Sequence, residues 1–322
     1  MRRSFVETKD LRFHVIDEGR GAPVVLLHGF PDTSRLWTAQ IDALTAAGYR
    51  AVAPDLRGRG ASERPRDVEA YVLRRIVADV TGILDALELE RAHVVGHDWG
   101  AGVAWLLASL VPERVDRLVV ISVGFPGAIR PDLEALQKGW YQLLFLFEGA
   151  AEELLRRDHW YLLRELLQDH PRLEEALADL DGTDALTAAL NWYRANLRVD
   201  RLIPSGSPLP RVKAPTLGIF GAGDPYLTER AMLASEAHVD GAWRYQRLEN
   251  IGHWVPLEAP ERLNELLLEF LAPTESGRRH GVGHVPRLAR IAAGSRGSTR
   301  SSGGGRLRKR PTTSSSSAKS GS

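Results

Sequence analysis

Short β-rich apolar runs alternating with helix-length amphipathic segments constrain this chain more than any other feature of its sequence. Val24 to Leu27 precedes the amphipathic stretch Ser34 to Ala47, Tyr49 to Ala53 precedes Tyr71 to Leu87, and Ala92 to Val95 precedes Ala101 to Leu110, after which Val115 to Val123 is apolar again. Strands buried on both faces read as continuous apolar runs, and parallel neighbours need crossover helices, so the rhythm predicts a mostly parallel sheet covered by helices. Two alternating segments, Ser4 to Thr8 and Leu11 to Ile16, read as an antiparallel starting hairpin. The expected class is α/β, with a mostly parallel twisted sheet flanked by helices.

After Val123 the strand rhythm stops, and Leu154, Leu155, Leu162, Leu163, Leu166 and Leu167 recur at helical spacing. The expected organisation is a core in two parts, 1–129 and 214–272, interrupted by an inserted helical cap at 130–213 and followed by a basic low-complexity tail at 273–322. Strand-like Pro215 to Phe220 and Trp243 to Leu248 resume the sheet, with helices around Glu229 to Glu236 and from Pro260 to Leu271. The tail holds too few apolar residues to offset the entropy of ordering, which predicts disorder.

The formal charge of +1 hides a division. Residues 274–322 carry 11 Lys+Arg and the single acid Glu275, which leaves the preceding chain near −9 and the tail near +10. An acidic body argues against nucleic-acid binding at the main domain, although such a tail suits weak polyanion contacts. With no cysteine, disulfides and thiolate metal sites are excluded. Arg2-Arg3-Ser4-Phe5 resembles a twin-arginine signal, but the residues that follow supply no apolar segment. The longest apolar stretch, Leu118 to Ile129, is shorter than the roughly 18 residues of a membrane span. No membrane association is expected, and the cytoplasm is the default compartment.

The chemistry concentrates at Gly96-His97-Asp98-Trp99-Gly100, which follows the apolar Val94-Val95 and opens an Ala- and Leu-rich helix. This is the G-x-Nuc-x-G pattern of a sharp strand-to-helix turn, in which small flanking residues let the central side chain stand clear at the strand's carboxyl end. Asp is also a preferred helix N-cap, so the motif alone permits a capping role for Asp98. Two further residues favour chemistry. Asp224, in Gly221-Ala222-Gly223-Asp224-Pro225, and His253, in Gly252-His253-Trp254, each follow an expected strand and complete the order nucleophile, acid, histidine. His28-Gly29-Phe30-Pro31 follows another strand, where the backbone N–H of Phe30 is placed to join that of Trp99 as an oxyanion hole.

These motifs, together with Asp55-Leu56-Arg57-Gly58-Arg59-Gly60-Ala61-Ser62, resemble the epoxide hydrolase and haloalkane dehalogenase branch of the α/β-hydrolases over about Phe5 to Leu271. The resemblance implies the α/β-hydrolase fold and an aspartyl-ester mechanism. It also implies two cap tyrosines that hydrogen-bond an epoxide oxygen. Asn191-Trp192-Tyr193-Arg194 is similar to the segment bearing the second, and Trp140-Tyr141-Gln142 to that bearing the first, although Glu148 stands where the family commonly has proline.

Epoxide opening is therefore the first expectation, with Asp98, His253, Asp224, Tyr193 and Tyr141 as catalytic residues. Haloalkane hydrolysis through the same ester is the alternative, and a non-catalytic binding protein on this fold is a third. The expected partners are a small apolar epoxide and water. No cofactor and no metal are expected, since His280 and His284 lack a carboxylate partner; the oligomeric state is left open. His97 reads as a packed neighbour, not a base.

Overall fold

Every apolar run becomes a strand. A computed structural model describes residues 2–128, 132–197 and 209–273. Among these residues, eight strands form one sheet: β1 (Arg3–Glu7), β2 (Arg12–Gly19), β3 (Pro23–Leu27), β4 (Arg50–Pro54), β5 (Ala92–His97), β6 (Val115–Ile121), β7 (Thr216–Gly221) and β8 (Trp243–Leu248). Their order is β1-β2-β4-β3-β5-β6-β7-β8. β2 pairs antiparallel with β1 and β4, which is the starting hairpin, and all remaining pairs are parallel. The chain divides between Pro273 and Thr274. The expectations for the tail, His280 and His284 included, lie outside the described residues.

Successive side chains on a strand point to opposite faces, and here both faces are covered. Val24, Leu26, Ala51, Ala53, Val119 and Ile219 pack on one side with Ile41 and Leu44 of α1 (Thr38–Ala46) and Leu263, Leu267 and Phe270 of α11 (Pro260–Leu271). Val25, Leu27, Val52, Val94 and Val120 pack on the other with α2 (Leu73–Ala86) and α3 (Trp99–Leu110). Each fully buried Val, Leu or Ile contributes about 2 kcal/mol on leaving water, so this double layer holds the helices in place.

The order of strands also decides where a site can form. From β3 the chain passes through α1 to β4 on one side, then through α2 to β5 on the other, so the strand order reverses between β3 and β5. At such a switch point the loops leaving the carboxyl ends diverge and leave a crevice. The loops after β3 and β5 are those carrying His28 to Pro31 and Asp98.

Between β6 and β7 the described chain is helical: α4 (Leu133–Lys138), α5 (Trp140–Phe145), α6 (Ala150–Leu166), α7 (Leu173–Leu180) and α8 (Ala185–Asn196). The leucine spacing predicts a helix through 154–167, and the structure breaks it. Arg157 is extended, and Asp158, His159 and Trp160 have positive φ of 51°, 57° and 68°. The break is held from both sides: Arg164 Nε donates to the His159 carbonyl at 3.0 Å, and the Arg156 guanidinium lies 4.8 Å from the Trp160 ring centre. Two short helices complete the fold, α9 (Glu229–Ala234) and α10 (Val255–Glu258). None of the described helices is long and apolar enough to cross a membrane.

Candidate active site

The turn between β5 and α3 is built by its glycines. A Cβ on Gly96 would overlap the Gly100 carbonyl, and one on Gly100 would overlap the Leu27 carbonyl, so larger residues would push the helix start off the sheet. Asp98 between them has φ 52° and ψ −124°, a backbone state costly for a non-glycine residue. Its side chain makes no helix-capping bond. The strain raises the carboxylate above the sheet edge instead of folding it back on the helix.

Both carboxylate oxygens have defined surroundings. Oδ1 accepts the Phe30 N–H at 2.8 Å, and the Trp99 N–H also bonds the carboxylate. Oδ2 lies 3.7 Å from His253 Nε2. Burial raises the Asp98 pKa, and the net shift stays upward although His253 and the two amides oppose it. The two amides named from the sequence therefore both bond the Asp98 carboxylate.

His253 follows β8 and is 3% exposed. Its Nδ1 lies 2.8 Å from Asp224 Oδ2, and Asp224 Oδ1 accepts the N–H groups of Tyr226 and Leu227 at 2.8 and 3.0 Å. Burial opposes charge on both partners, but their mutual attraction prevails. It holds Asp224 below its ordinary value and, with help from Asp98, pushes His253 up to about 9. Lys138 Nζ donates to the carbonyls of Asp224 and Leu227 at 2.8 and 2.9 Å, tying α4 to the same loop.

Tyr141 on α5 and Tyr193 on α8 are both buried, with ring centres 6.4 Å apart. Tyr193 stands edge-on to Trp99 at 5.1 Å and to Phe30 at 5.7 Å. Burial raises the pKa of both phenols, and the charge of Asp98 raises it further. They are thus held as neutral O–H groups within the field of the carboxylate.

The described structure brings Asp98, His253, Asp224, Tyr141, Tyr193, Phe30 and Trp99 together. His97 is fully buried, its Nε2 donating to the His253 carbonyl at 2.9 Å, and burial together with His253 pushes its pKa down to about 3. It is the packed neighbour expected from the elbow. Two surrounding residues were not singled out in the sequence, and a third, Arg59, entered there only as part of the Asp55-to-Ser62 motif. Asp32 is bonded to His170 at 3.2 Å, Tyr226 lies 5.1 Å from the His253 ring, and Arg59 lies 5.5 Å from the Phe30 ring. Asp32 directly follows Pro31 and Tyr226 lies two residues after Asp224, so adjacency to a motif was the only signal. Among the described residues no cluster of His, Asp and Glu suits a metal ion.

The sequence matches the family described as the alpha/beta hydrolase fold over residues 22–260. It is 33% identical to epoxide hydrolase A of Mycobacterium tuberculosis, covering 84% of this chain and 97% of that protein. It is 49% identical to epoxide hydrolase B of the same organism, covering 81% and 95%. The crystal structure of epoxide hydrolase A from Mycobacterium thermoresistibile superposes with a TM-score of 0.72 at 30% identity, over 84% of this chain and 98% of that one. The fold, the length of the match and these identities agree: the chain belongs to the α/β-hydrolase superfamily, as an epoxide hydrolase-like member.

Proposed function

We propose that the chain is an epoxide hydrolase that forms an aspartyl ester and releases a vicinal diol. The observation that carries this reading is the split environment of Asp98: one oxygen on the Phe30 amide, the other facing His253, beneath two buried tyrosines. In this reading Oδ2 attacks an epoxide carbon and the ring C–O bond breaks, while Tyr141 or Tyr193 protonates the leaving oxygen. Oδ1 becomes the ester carbonyl oxygen, already on the Phe30 amide where the tetrahedral oxyanion will build, with the Trp99 amide also bonding the carboxylate. The proton released by His253 restores the tyrosine. The neutral imidazole, oriented by Asp224, then takes a proton from water as the hydroxide adds to the carboxyl carbon. Collapse breaks the bond to the alkyl oxygen, and a carboxyl proton passes to the diol.

The helices of 130–213 act as the cap that carries the two tyrosines over the core of 1–129 and 214–272. Relatives named as epoxide hydrolases support the reaction class. A single turnover of styrene oxide in ¹⁸O-water, followed by peptide mass analysis, tests the ester. Label is expected in the peptide containing Asp98, and diol formation with no label there overturns the mechanism. Turnover of 1-chlorobutane but not styrene oxide would replace epoxide opening with dehalogenation.

A further inference from the structure

Five of the nine large apolar side chains left exposed among the described residues fall on one short stretch: Leu133 and Leu136 of α4, Trp140 and Leu143 of α5, and Phe147 just beyond. Trp140 is 52% exposed and the other four are between 62% and 71% exposed. α4 and α5 keep one helical phase through Gly139, whose N–H donates to the Ala135 carbonyl at 2.9 Å and whose carbonyl accepts the Gln142 N–H at 3.0 Å. At about 100° per residue the five side chains lie within an arc of about 80°. Tyr141 and Phe145 fall on the other side of the same turns and are buried, Phe145 against Phe30 and Tyr193. The inward side of this stretch is thus committed to the candidate active site, and its outward side is an apolar stripe roughly 20 Å long.

At about 200 Å² for a fully exposed large side chain, the five leave roughly 600 Å² in water, the upper end of what a monomer exposes in one patch and most of the roughly 800 Å² that each partner gives to a standard interface. The positions bordering the stripe, Gln137 and Leu144 on one side and Gly139 and Leu146 on the other, carry no charge. Lys138, the one cation of α4 and α5, is turned away, its Nζ bonded to the carbonyls of Asp224 and Leu227. A helix that lies on an anionic lipid surface carries Lys and Arg beside its apolar face, which this one does not. The spacing selects the occupant. Counted from Trp140, the other four residues stand at −7, −4, +3 and +7, so the stripe reads nearly the same in either direction. A patch that matches its own reverse is what an isologous contact about a two-fold axis requires.

We propose that two copies of this chain pair through the stripe, α4 and α5 of one running antiparallel to those of the other about a two-fold axis at Trp140. Leu133 then packs beside the other copy's Phe147, and Leu136 beside its Leu143. The two Trp140 side chains meet at the centre, where buried aromatic residues contribute most to association. The uncharged margins let like copies approach although each body carries a net charge near −9. With roughly 600 Å² from each copy the contact stands at the low end of the standard size, so the dimer is reversible, with a dissociation constant in the roughly micromolar range. The pairing is independent of the epoxide hydrolase reading, since the five residues are separate from those assigned to the reaction.

Sedimentation velocity of the full chain over about 1 to 100 μM tests the pairing, in about 0.5 M salt so that attraction between basic tails and acidic bodies is screened. The wild type is expected to pass from monomer to dimer across that range. Leu136→Glu and Leu143→Lys each place an unpaired charge in the contact and weaken the dimer by roughly tenfold or more. Position 136 of one copy meets position 143 of the other only in the antiparallel arrangement. An equimolar mixture of the two variants should therefore form a mixed dimer tighter than either variant forms with itself. Circular dichroism checks the fold; both positions are exposed, and should one variant not fold, the weakening seen in the other decides. A wild type that stays monomeric throughout, or a dimer that neither variant weakens, overturns the proposal. A mixture no tighter than its components overturns the antiparallel two-fold. Flotation with neutral and with anionic phospholipid vesicles is run alongside: a monomeric wild type that floats, and ceases to float as Leu136→Glu, would have a lipid surface on the stripe in place of a second copy.

Discussion

Asp98 and His253 are coupled, and the coupling is withdrawn during the proposed cycle. In the free protein the Asp98 carboxylate, 3.7 Å from Nε2, helps Asp224 hold His253 protonated to about pH 9. A protonated histidine is no base. Once Asp98 is esterified its charge is gone, that part of the support is withdrawn, and the pKa of His253 falls toward the range where imidazole accepts a proton. Replacing Asp98 by Asn imitates the uncharged ester. We expect NMR titrations to show His253 of Asp98→Asn losing its proton at lower pH than in the parent chain, and an unchanged midpoint would sink the coupling. The same shift affects stability. Because the folded value exceeds the ordinary 6.5, the charged imidazolium favours the folded state fully below pH 6.5, and this contribution is lost as pH rises from 6.5 through about 9.

The two tyrosines are only as well placed as the helices that bear them. Arg194 on α8 donates to the Phe145 carbonyl at the end of α5 at 3.1 Å and pairs with Glu152 in the first turn of α6, so one buried guanidinium clamps three helices. Removing one partner of a buried pair leaves the other charge unmatched and costs about 3 kcal/mol, well above the value of a surface pair. Glu152→Gln should therefore lower unfolding free energy in denaturant by about 3 kcal/mol, whereas a loss below about 1 kcal/mol would show that the clamp is not held by charge. The clamp was not legible in the sequence, where Glu152 lies in an amphipathic stretch and Arg194, 42 residues on, only ends the motif Asn191-Trp192-Tyr193-Arg194. The sheet was legible because period and composition are local. The break at Arg157 to Trp160 was not, because it is held by Arg156 and Arg164 against a sequence whose leucine spacing favours continuity.

Across the chain as a whole, what could be read early follows from what a motif encodes. Asp98, Asp224 and His253 each sit in a short stretch whose glycines are demanded by a turn, so their places at strand ends could be named from order alone. Asp32 sits beside such a stretch and Arg59 within one, and whether such a residue faces the crevice or the core depends on packing that no local pattern records. Net charge behaves the other way: it is plain in the sequence and separate from the site, since every residue of the candidate site lies before Thr274. Residues 274–322 turn a body near −9 into a chain of +1. A run of cations with almost no acids suits polyanions, so these residues should govern what the chain adheres to, with turnover left to the residues before Thr274. A chain ending at Pro273 is expected to turn over a neutral epoxide within about twofold of the full chain, while eluting from a heparin column at distinctly lower salt. Equal retention of the two chains would show that the tail's charge is not available to polyanions, and a loss of turnover beyond about tenfold in the shorter chain would show that the tail takes part in the reaction.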